Sequence, residues 1–338
     1  MLRVGLVGIG VMGRGHLDMY LRLMNEGYPV KLVAVCDVDD RKFHNEFIPG
    51  NVKVGLGAYD FSQFNCYHDL DEMLKNERLD YLDVALPTYL HCWAALKGFE
   101  AGLHVLCEKP MALNIDQCDQ MIAAAEKAGK TLMIAQCLRF WPAYEELKRT
   151  IEDKRYGAVT SGYFWRGGET PMWSFENWLL KKDKAGGALL DQHIHDVDMI
   201  NWLFGVPQGV SCVAKTAIEG SINDAVSTNY FYEDKAVNAQ DDWTLNGDYG
   251  FTMTFRVSFE RGSLVWEGKL MAYPHDAPGF EVELPADDGY YREIKYFTQA
   301  LINGTPIETA APFSTRETIR IAEAEAESAA KFGQPVML

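Results

Sequence analysis

The chain has 338 residues, of which 48% are hydrophobic and 24% charged, values typical of a globular enzyme and not of a disordered or disulfide-rich chain. This length exceeds the usual size of one hydrophobic core and favours two domains. The 48 acidic and 32 basic residues give a formal net charge of −16, which argues against nucleic acid or an anionic membrane as the main partner. Seven scattered cysteines without a Cys-x-x-Cys pair predict reduced thiols and a cytoplasmic protein. The apolar start is too short for a signal peptide, and no run reaches transmembrane length.

The chain begins with an apolar strand that leads into a glycine-rich turn and a helix. The turn has the Gly-x-Gly-x-x-Gly spacing of a dinucleotide phosphate site and consists of Gly8, Ile9, Gly10, Val11, Met12 and Gly13. A second apolar strand, 31–36, ends at Asp37, where a carboxylate can accept hydrogen bonds from both ribose hydroxyls. This order predicts NAD as cofactor and disfavours NADP, although Arg41 and Lys42 follow closely enough to be considered as ligands of a 2′-phosphate. The alternative is a structural turn with a solvated aspartate.

Strands and helices then alternate along the first 135 residues. The predicted elements are a weak helix 40–47, helix 69–76, strand 81–86, helix 88–101, strand 104–107, helix 115–128 and strand 131–135. This alternation predicts a Rossmann domain over 1–135, a doubly wound parallel sheet that binds ligands at the carboxyl ends of its strands. The residues expected near the cofactor at these ends are Leu86, Pro87, Thr88, Glu108, Lys109 and Gln136.

A different pattern follows from residue 136. Helix 143–153 and strand 159–165 precede several alternating segments from Val206 onward, and two helices, 290–303 and 314–331, close the chain. The pattern predicts an α+β domain over 136–338 with a large, open, mostly antiparallel sheet. Packing of the last helix against the first domain is one option. The free face of the sheet predicts a homodimer or homotetramer.

Two polar groups stand out as candidates for catalysis. Gly186-Gly187 opens a predicted helix to about Phe204, in which Asp191 and His195 share one face, so that the carboxylate can orient the imidazole. The alternative is an ion-paired helix face. Asp191, His193, His195 and Asp198 also look rich in metal ligands, but His-x-His cannot converge on one ion from a helix, so no metal is predicted.

Lys109 follows a buried strand, between Glu108 and Pro110, where it can hydrogen-bond a substrate oxygen that develops alkoxide character. An ordinary Glu–Lys loop contact is the alternative. Mixed aromatic and polar side chains of the kind that bind sugars follow in the second domain, and the alternative for each aromatic is a core position. Those assigned to the substrate site are Arg139, Trp165, Arg166 and Trp178, with Trp141 and Trp173 near them.

Together, Gly8-x-Gly10-x-x-Gly13, Glu108-Lys109-Pro110, and Gly186-Gly187 followed by Asp191-x-x-x-His195 resemble the glucose-fructose oxidoreductase, inositol dehydrogenase and rhizopine catabolism (Gfo/Idh/MocA) family. The resemblance covers nearly the whole chain. It implies that Lys109, Asp191 and His195 are the catalytic trio, that His195 exchanges the proton, and that Pro87, Thr88 and His91 line the cofactor. It also implies a sugar site on the second domain's sheet. The chain departs from the family pattern after Asp191, where it has Gln-His-Ile in place of a small glycine-containing triplet.

The resemblance implies an NAD-dependent oxidoreductase that transfers hydride between nicotinamide and a secondary alcohol of a sugar, polyol or cyclitol. Two alternatives come from the same family. One is a glycosidase that retains NAD and acts by transient oxidation and elimination. The other is a non-catalytic regulator that senses NAD or sugar.

Overall fold

The computed structural model describes residues 1–46, 50, 54–246 and 248–338. These residues form two compact units. The first comprises Met1–Cys137, Met172–Trp178 and Tyr290–Arg316, and the second comprises Leu138–Pro171, Leu179–Gly289 and Glu317–Leu338. The first unit thus takes in two later segments of the chain in addition to the predicted 1–135.

The first unit is built on a parallel sheet. Its strands are β1 (Leu2–Val7), β2 (Val30–Cys36), β3 (Asn65–Tyr67), β4 (Tyr81–Val84), β5 (His104–Glu108) and β6 (Leu132–Ala135). Its helices in this part of the chain are α1 (Val11–Asn25), α2 (Leu70–Asn76), α3 (His91–Glu100) and α4 (Ile115–Ala128). Within the described ranges the strand order is β3-β2-β1-β4-β5-β6. This is the order of a dinucleotide-binding sheet and confirms the predicted Rossmann fold.

Local sequence explains where several of these helices begin and end. The Asp69 side chain accepts the Glu72 N–H and caps α2, and the Asn114 side chain accepts the Gln117 N–H and caps α4. Gly129 ends α4 in the left-handed conformation, at φ 62°. Two predicted helices are shorter. A 3-10 turn covers Asp40–His44, while residue 47 lies outside the described residues, and a 3-10 turn at Thr88–Leu90 precedes α3.

The second unit contains a large sheet and helices that cover one of its faces. Its helices between residues 142 and 204 are α5 (Pro142–Glu152), α6 (Lys182–Ala185), α7 (Gly187–Asp191) and α8 (Ile194–Phe204). Its strands are β7 (Val159–Glu169), β8 (Gly209–Lys215), β9 (Ala225–Phe231), β10 (Ala236–Leu245), β11 (Phe251–Phe259), β12 (Gly262–Trp266), β13 (Leu270–Pro274), β14 (Phe280–Glu281) and β15 (Val336–Met337). Helices α9 (Gly289–Asn303) and α10 (Pro312–Ala330) follow β14 in the chain.

In the described residues the strand order of this sheet is β14-β13-β12-β11-β7-β10-β9-β8-β15. All neighbours are antiparallel except β7 and β10, which are parallel. The mostly antiparallel sheet predicted from the alternating segments is therefore confirmed. Alternation along β7 directs Phe164 to a buried face, where its ring lies 6.2 Å from that of Phe204 in α8, and directs Tyr163 and Trp165 to the opposite face.

That opposite face carries half-buried and exposed side chains. Tyr163 and Trp165 are half-buried at its centre, while Val213 (54% exposed) and Tyr273 (46% exposed) lie on outer strands. Aromatic and aliphatic groups spread over one face of a sheet are suited to a symmetric contact between two copies.

We predict that this face mediates self-association, so that the protein is a homodimer or homotetramer. Trp165→Glu places a charge at the centre of the face and should shift the protein to smaller species, whereas Trp93→Glu on α3, 44% exposed, should not. Small-angle scattering and sedimentation at assay concentration measure the change. A monomeric wild-type protein would refute the prediction.

Candidate functional site

The predicted cofactor residues of the first unit follow successive strands of the parallel sheet. Ile9 and Gly10 follow β1, Asp37 follows β2, Thr88 follows β4 and Lys109 follows β5. Leu86, Pro87 and Gln136 occupy equivalent positions after β4 and β6. Because the carboxyl ends of parallel strands meet at one edge, this edge gathers all of them.

The glycine turn has the geometry that a pyrophosphate needs. Gly8 has φ +94°, and a Cβ on it would lie 2.3 Å from the Ala85 carbonyl oxygen; a Cβ on Gly13 would lie 1.8 Å from the Gly8 carbonyl oxygen. A Cβ on Gly10, in contrast, would meet no described atom within 4 Å. Gly10 is the N-cap of α1, and no side chain caps the helix there. Backbone N–H groups at this end can therefore face an anion in open space.

Gln136 supplies a second sign of a ligand at this edge. The residue is 1% exposed, and its Nε2 has no hydrogen-bond partner among the described residues. A buried amide donor without a partner costs free energy unless a ligand or water satisfies it. The open cradle at Gly10 and the unsatisfied amide of Gln136 both fit a bound dinucleotide.

The Asp37 carboxylate already has protein partners. Its Oδ2 accepts the Ile9 N–H at 2.7 Å and lies 2.8 Å from Lys42 Nζ, and its Oδ1 accepts the Asp39 N–H at 2.9 Å. Arg41 is bound instead to Asp39, through Nε and Nη2 at 2.8 Å. Lys42 therefore partly neutralises the carboxylate that is predicted to bind the ribose, whereas Arg41 is paired with Asp39.

A buried network behind this edge was not predicted from the sequence. His16 in α1 is 0% exposed; its Nδ1 lies 2.9 and 3.0 Å from the two Asp83 oxygens, and its Nε2 lies 3.1 Å from Glu108 Oε1. Tyr20 donates its hydroxyl to Asp83 Oδ2 at 2.6 Å. The second oxygen of Glu108 accepts the backbone N–H of Lys109 at 2.9 Å. The sequence signal was Asp83 itself, a charged residue within an apolar strand.

The charges of this network stabilise one another. Burial alone would lower the pKa of His16, but Asp83 and Glu108 outweigh it and hold that pKa well above its usual 6.5. Burial alone would raise the pKa of Glu108, but the hydrogen bond and charge of His16 leave it below its usual value. The two carboxylates thus favour the imidazolium of His16, and Glu108 is held against the main chain of Lys109.

Two residues predicted to contact the cofactor have hydrogen-bond partners within the protein. Both His91 ring nitrogens face backbone carbonyls, Nδ1 at 2.8 Å from Pro110 and Nε2 at 2.7 Å from Leu86, and the residue is 1% exposed. His91 therefore links the loops after β4 and β5. Glu108 is likewise bound by His16 and Lys109. Both residues thus position the loops at this edge, and their contact with a bound cofactor stays a prediction.

In the second unit, Asp191 and His195 lie on different helices. Asp191 ends α7, Gln192 and His193 form a turn, and α8 begins at Ile194. The predicted continuous helix is wrong at this turn because the His193 N–H bonds to the Ala188 carbonyl at 2.8 Å, five residues back, which interrupts the regular i to i−4 ladder. Asp191 and His195 are half-buried, whereas the two turn residues between them are buried. The end of α8 at Phe204 agrees with the prediction.

The turn residue His193 fills a buried polar cluster. Its Nε2 lies 3.3 Å from the Tyr230 hydroxyl and 3.7 Å from Glu325 Oε2. Burial alone would lower the pKa of His193, but the charge of Glu325 raises it. His193, Asp196 and Asp241 could together hold a metal ion, but both Asp196 oxygens already bind Arg166. His193 thus belongs to the interior, as expected for a side chain directed away from His195.

Three residues assigned to the substrate site have other roles. Arg139 is 1% exposed and binds both oxygens of Asp198, at 2.7 and 2.8 Å. Arg166 is 2% exposed and binds both oxygens of Asp196, each at 3.1 Å. Trp165 points to the face of β7 opposite α8, because strand alternation separates it from Arg166. The assignment of these three residues to the substrate site stays a prediction.

Trp178 belongs to the first unit, where its ring lies 6.4 Å from that of Tyr89. Tyr89 directly follows Thr88 at the end of β4. Trp178 thus lies beside the cofactor edge, which is consistent with its assignment to the site.

We predict that His16→Gln destabilises the protein by about 3–5 kcal/mol near neutral pH, because it leaves two buried carboxylates without their cation. The folded-state pKa of His16 is raised, so its contribution is fully present below pH 6.5 and is lost as pH rises through the folded value. The difference in free energy of unfolding between wild type and His16→Gln should therefore become smaller at alkaline pH. Urea unfolding over a series of pH values measures this difference. His44→Gln, at an exposed histidine, is the control, and a pH-independent difference would contradict the assignment.

We predict that the wild type prefers NAD to NADP by roughly 10- to 1,000-fold in kcat/KM, because Asp37 repels a 2′-phosphate. Lys42→Met exposes the full charge of Asp37 and should widen this preference, and Asp37→Ser should narrow it mainly by improving NADP. Arg41→Met, which disturbs only the pair with Asp39, is the matched control. Steady-state kinetics with both cofactors gives the ratio of kcat/KM with NAD to kcat/KM with NADP. If this ratio is the same in Lys42→Met and wild type, Lys42 does not neutralise Asp37.

No helix among the described residues combines the length and the apolar composition that a membrane span requires. All seven cysteines lie within the described ranges, and no disulfide joins them.

Comparison with known proteins gives two family matches. Residues 2–136 match the model of an oxidoreductase family with an NAD-binding Rossmann fold, and residues 144–265 match the Gfo/Idh/MocA C-terminal domain. Among curated relatives, a 2,7-anhydro-N-acetylneuraminate hydratase of Mediterraneibacter gnavus is 29% identical over 61% of this chain and 51% of its own length. A levoglucosan dehydrogenase of Pseudarthrobacter phenanthrenivorans is 30% identical over 64% of this chain and 55% of its own length.

The aligned region thus spans about half the length of these curated relatives. Among solved structures, levoglucosan dehydrogenase in complex with NADH and levoglucosan has a TM-score of 0.85 at 22% identity and covers 99% of both chains. At that identity the likeness shows the fold. The two family matches, in the order and position expected from the motifs, show that the chain belongs to the Gfo/Idh/MocA family of oxidoreductases and carries its NAD-binding Rossmann fold.

Proposed function

We propose that this protein is an NAD-dependent dehydrogenase of the cytoplasm that transfers hydride between nicotinamide and a secondary alcohol of an uncharged sugar, polyol or cyclitol. The observation that carries the proposal is the position of Lys109. It follows β5 of an NAD-binding fold, is half-buried, and has its backbone N–H held by the buried carboxylate of Glu108. A cation fixed at this edge is suited to stabilise an oxygen that gains negative charge.

Asp191 and His195 supply the proton chemistry in this proposal. They are half-buried residues on either side of a buried turn, which fixes the backbone between them. In this proposal Asp191 stabilises the imidazolium that forms when His195 accepts the proton.

The proposed reaction divides the work among these residues. NAD, when bound, supplies a hydride acceptor at its nicotinamide ring. His195 takes the hydroxyl proton of the substrate while the carbinol C–H bond breaks, and Asp191 supports the resulting imidazolium. Lys109 donates a hydrogen bond to the same oxygen as it becomes a carbonyl. Gly10 and Gln136 hold the dinucleotide, and Asp37 binds its adenosine ribose.

The state of the buried arginines supports an uncharged substrate. Arg139 and Arg166 are the arginines that the sequence placed near the sugar, and each is bound through two hydrogen bonds to a buried aspartate. Breaking either pair to bind a carboxylate or phosphate would leave that aspartate buried without its cation, at a cost of several kcal/mol. The levoglucosan dehydrogenase relative also acts, by its name, on a neutral sugar.

The hydratase relatives favour a second candidate. In this alternative the same residues oxidise the substrate transiently, eliminate a leaving group and return the hydride, so that NAD is retained. Incubation with glycosides and anhydro sugars distinguishes the two. Product release without accumulation of NADH would favour the alternative, while NADH formation in proportion to product supports the dehydrogenase.

We predict that His195→Ala and Lys109→Ala each lower kcat by about 100- to 10,000-fold with little change in NAD affinity, since both act on the alcohol oxygen. The assay follows absorbance of NADH over a panel of sugars, polyols and cyclitols. NAD affinity is measured separately by fluorescence titration.

His193→Ala is the matched control for His195→Ala. This substitution should lower the stability of the protein because it leaves Glu325 buried without its histidine partner. It should change turnover per folded molecule only mildly. Equal losses of turnover at the two histidines would contradict the assignment of His195. Tight NAD binding with no turnover on the whole panel would instead favour a non-catalytic sensor.

A further inference from the structure

A short segment rich in aromatic residues lies on the first unit although it is distant in sequence from the Rossmann elements. Met172–Trp178 separates two stretches of the second unit, Leu138–Pro171 and Leu179–Gly289. We call Met172–Trp178 the aromatic strap. It carries Trp173, Phe175 and Trp178 within six residues.

The three aromatic side chains contact the first unit at three points of the cofactor edge. Phe175 lies 5.2 Å from the ammonium of Lys42, the partner of Asp37 at the ribose position. The indole of Trp173 and the side chain of Val11, the first residue of α1, both lie within 3.4 Å of the position that a Cβ on Gly50 would take. Trp178 packs against Tyr89, beyond β4. If a dinucleotide is bound at this edge, Phe175 would lie near its adenosine ribose, Trp173 near its pyrophosphate and Trp178 near its nicotinamide.

The strap has a donor that the protein does not satisfy. Trp173 Nε1 is buried and has no hydrogen-bond partner within the described part of the chain. Buried indole N–H groups normally find an acceptor. Trp173 and Val11, the residue that opens α1, both lie beside Gly50, so an oxygen of the bound cofactor can serve as the acceptor. Phe175 remains 38% exposed, which leaves a ring face for the ribose.

The backbone of the strap is held in a costly conformation. Glu176 and Asn177 both have φ 52°, in the left-handed region that non-glycine residues seldom adopt, and the Asn177 N–H closes a turn onto the Ser174 carbonyl at 2.8 Å. This turn brings Phe175 and Trp178 to separate points of the first unit. Such strain is maintained only where surrounding contacts fix it, and it often marks a segment that clamps a ligand.

We propose that the aromatic strap closes over bound NAD, with Trp173 Nε1 donating a hydrogen bond to a phosphate or ribose oxygen and Phe175 packing on the adenosine ribose beside Lys42. The strap then slows release of the cofactor. The inference rests on the proposed function only for the identity of the cofactor, and it concerns binding and not the chemical step.

The test uses the full-length protein and NADH alone. Trp173→Phe keeps a ring but removes the donor, and it should accelerate NADH dissociation about tenfold or more, the effect of one lost hydrogen bond to a charged group. Phe175→Leu should accelerate it by a smaller factor. Trp93→Phe, at an exposed tryptophan of α3, is the matched control and should behave as wild type. Stopped-flow displacement and energy transfer from tryptophan to NADH give the rates and affinities.

Digestion with chymotrypsin gives a second readout, because the strap offers three aromatic cleavage sites. NADH should protect these sites in wild type and in Trp93→Phe, and protection should weaken in Trp173→Phe; if that variant fails to fold, Phe175→Leu carries both measurements. Wild-type dissociation rates in the two strap variants, or cleavage within the strap that NADH does not slow, would overturn the inference. NADH dissociation is measured without substrate and does not depend on turnover, so a strap variant series that gives the expected rates in a protein without turnover would refute only the proposed dehydrogenase.

Discussion

A single buried imidazolium organises the cofactor edge of the first unit. A buried imidazolium would be unfavourable in an apolar interior, and it is tolerated because His16 lies between the carboxyl groups of Asp83 and Glu108 and contacts both. His16 is in the helix that begins at the glycine turn, Asp83 is in β4, and Glu108 ends β5. The interaction therefore fixes the phosphate-binding helix relative to the strand end that presents Lys109. A change at His16 would disturb the proposed catalytic lysine without touching it.

The sequence predicted those features that depend on local pattern. The glycine turn, the acidic end of β2 and the strand–helix alternation led to the Rossmann sheet, and strict alternation in Phe251–Phe259 led to a strand with those bounds. It did not predict pairing between distant charges. Arg139 and Arg166 looked available to a sugar because their partners, Asp198 and Asp196, lie 59 and 30 residues away, and only tertiary structure brings them together. The break between α7 and α8 was missed for a similar reason: His193 has an ordinary helical neighbourhood in sequence, and its burial against Glu325 decides the turn.

The buried charged residues of the second unit that are described above pair mainly with one another. Two arginine–aspartate pairs and the His193 cluster occupy the buried side of its sheet, next to the helix that carries His195. This arrangement restricts how α8 can move, because Asp196 and Asp198 are both anchored from outside the helix. The proposed proton transfer by His195 would benefit from such a support, since the geometry of the imidazole toward a substrate must be reproduced at each turnover.

The position of β7 has a consequence for how the second sheet is made. Strands β8, β9 and β10 pair with their neighbours in sequence, as do β11, β12, β13 and β14, so each group forms by short loop closures. β7 lies between the two groups and precedes both, pairing with residues about 75 to 100 positions further along the chain. Closing loops of that length is entropically costly before the contacts form. Joining two locally assembled meanders around an early strand is therefore the step that should set the folding rate of this unit.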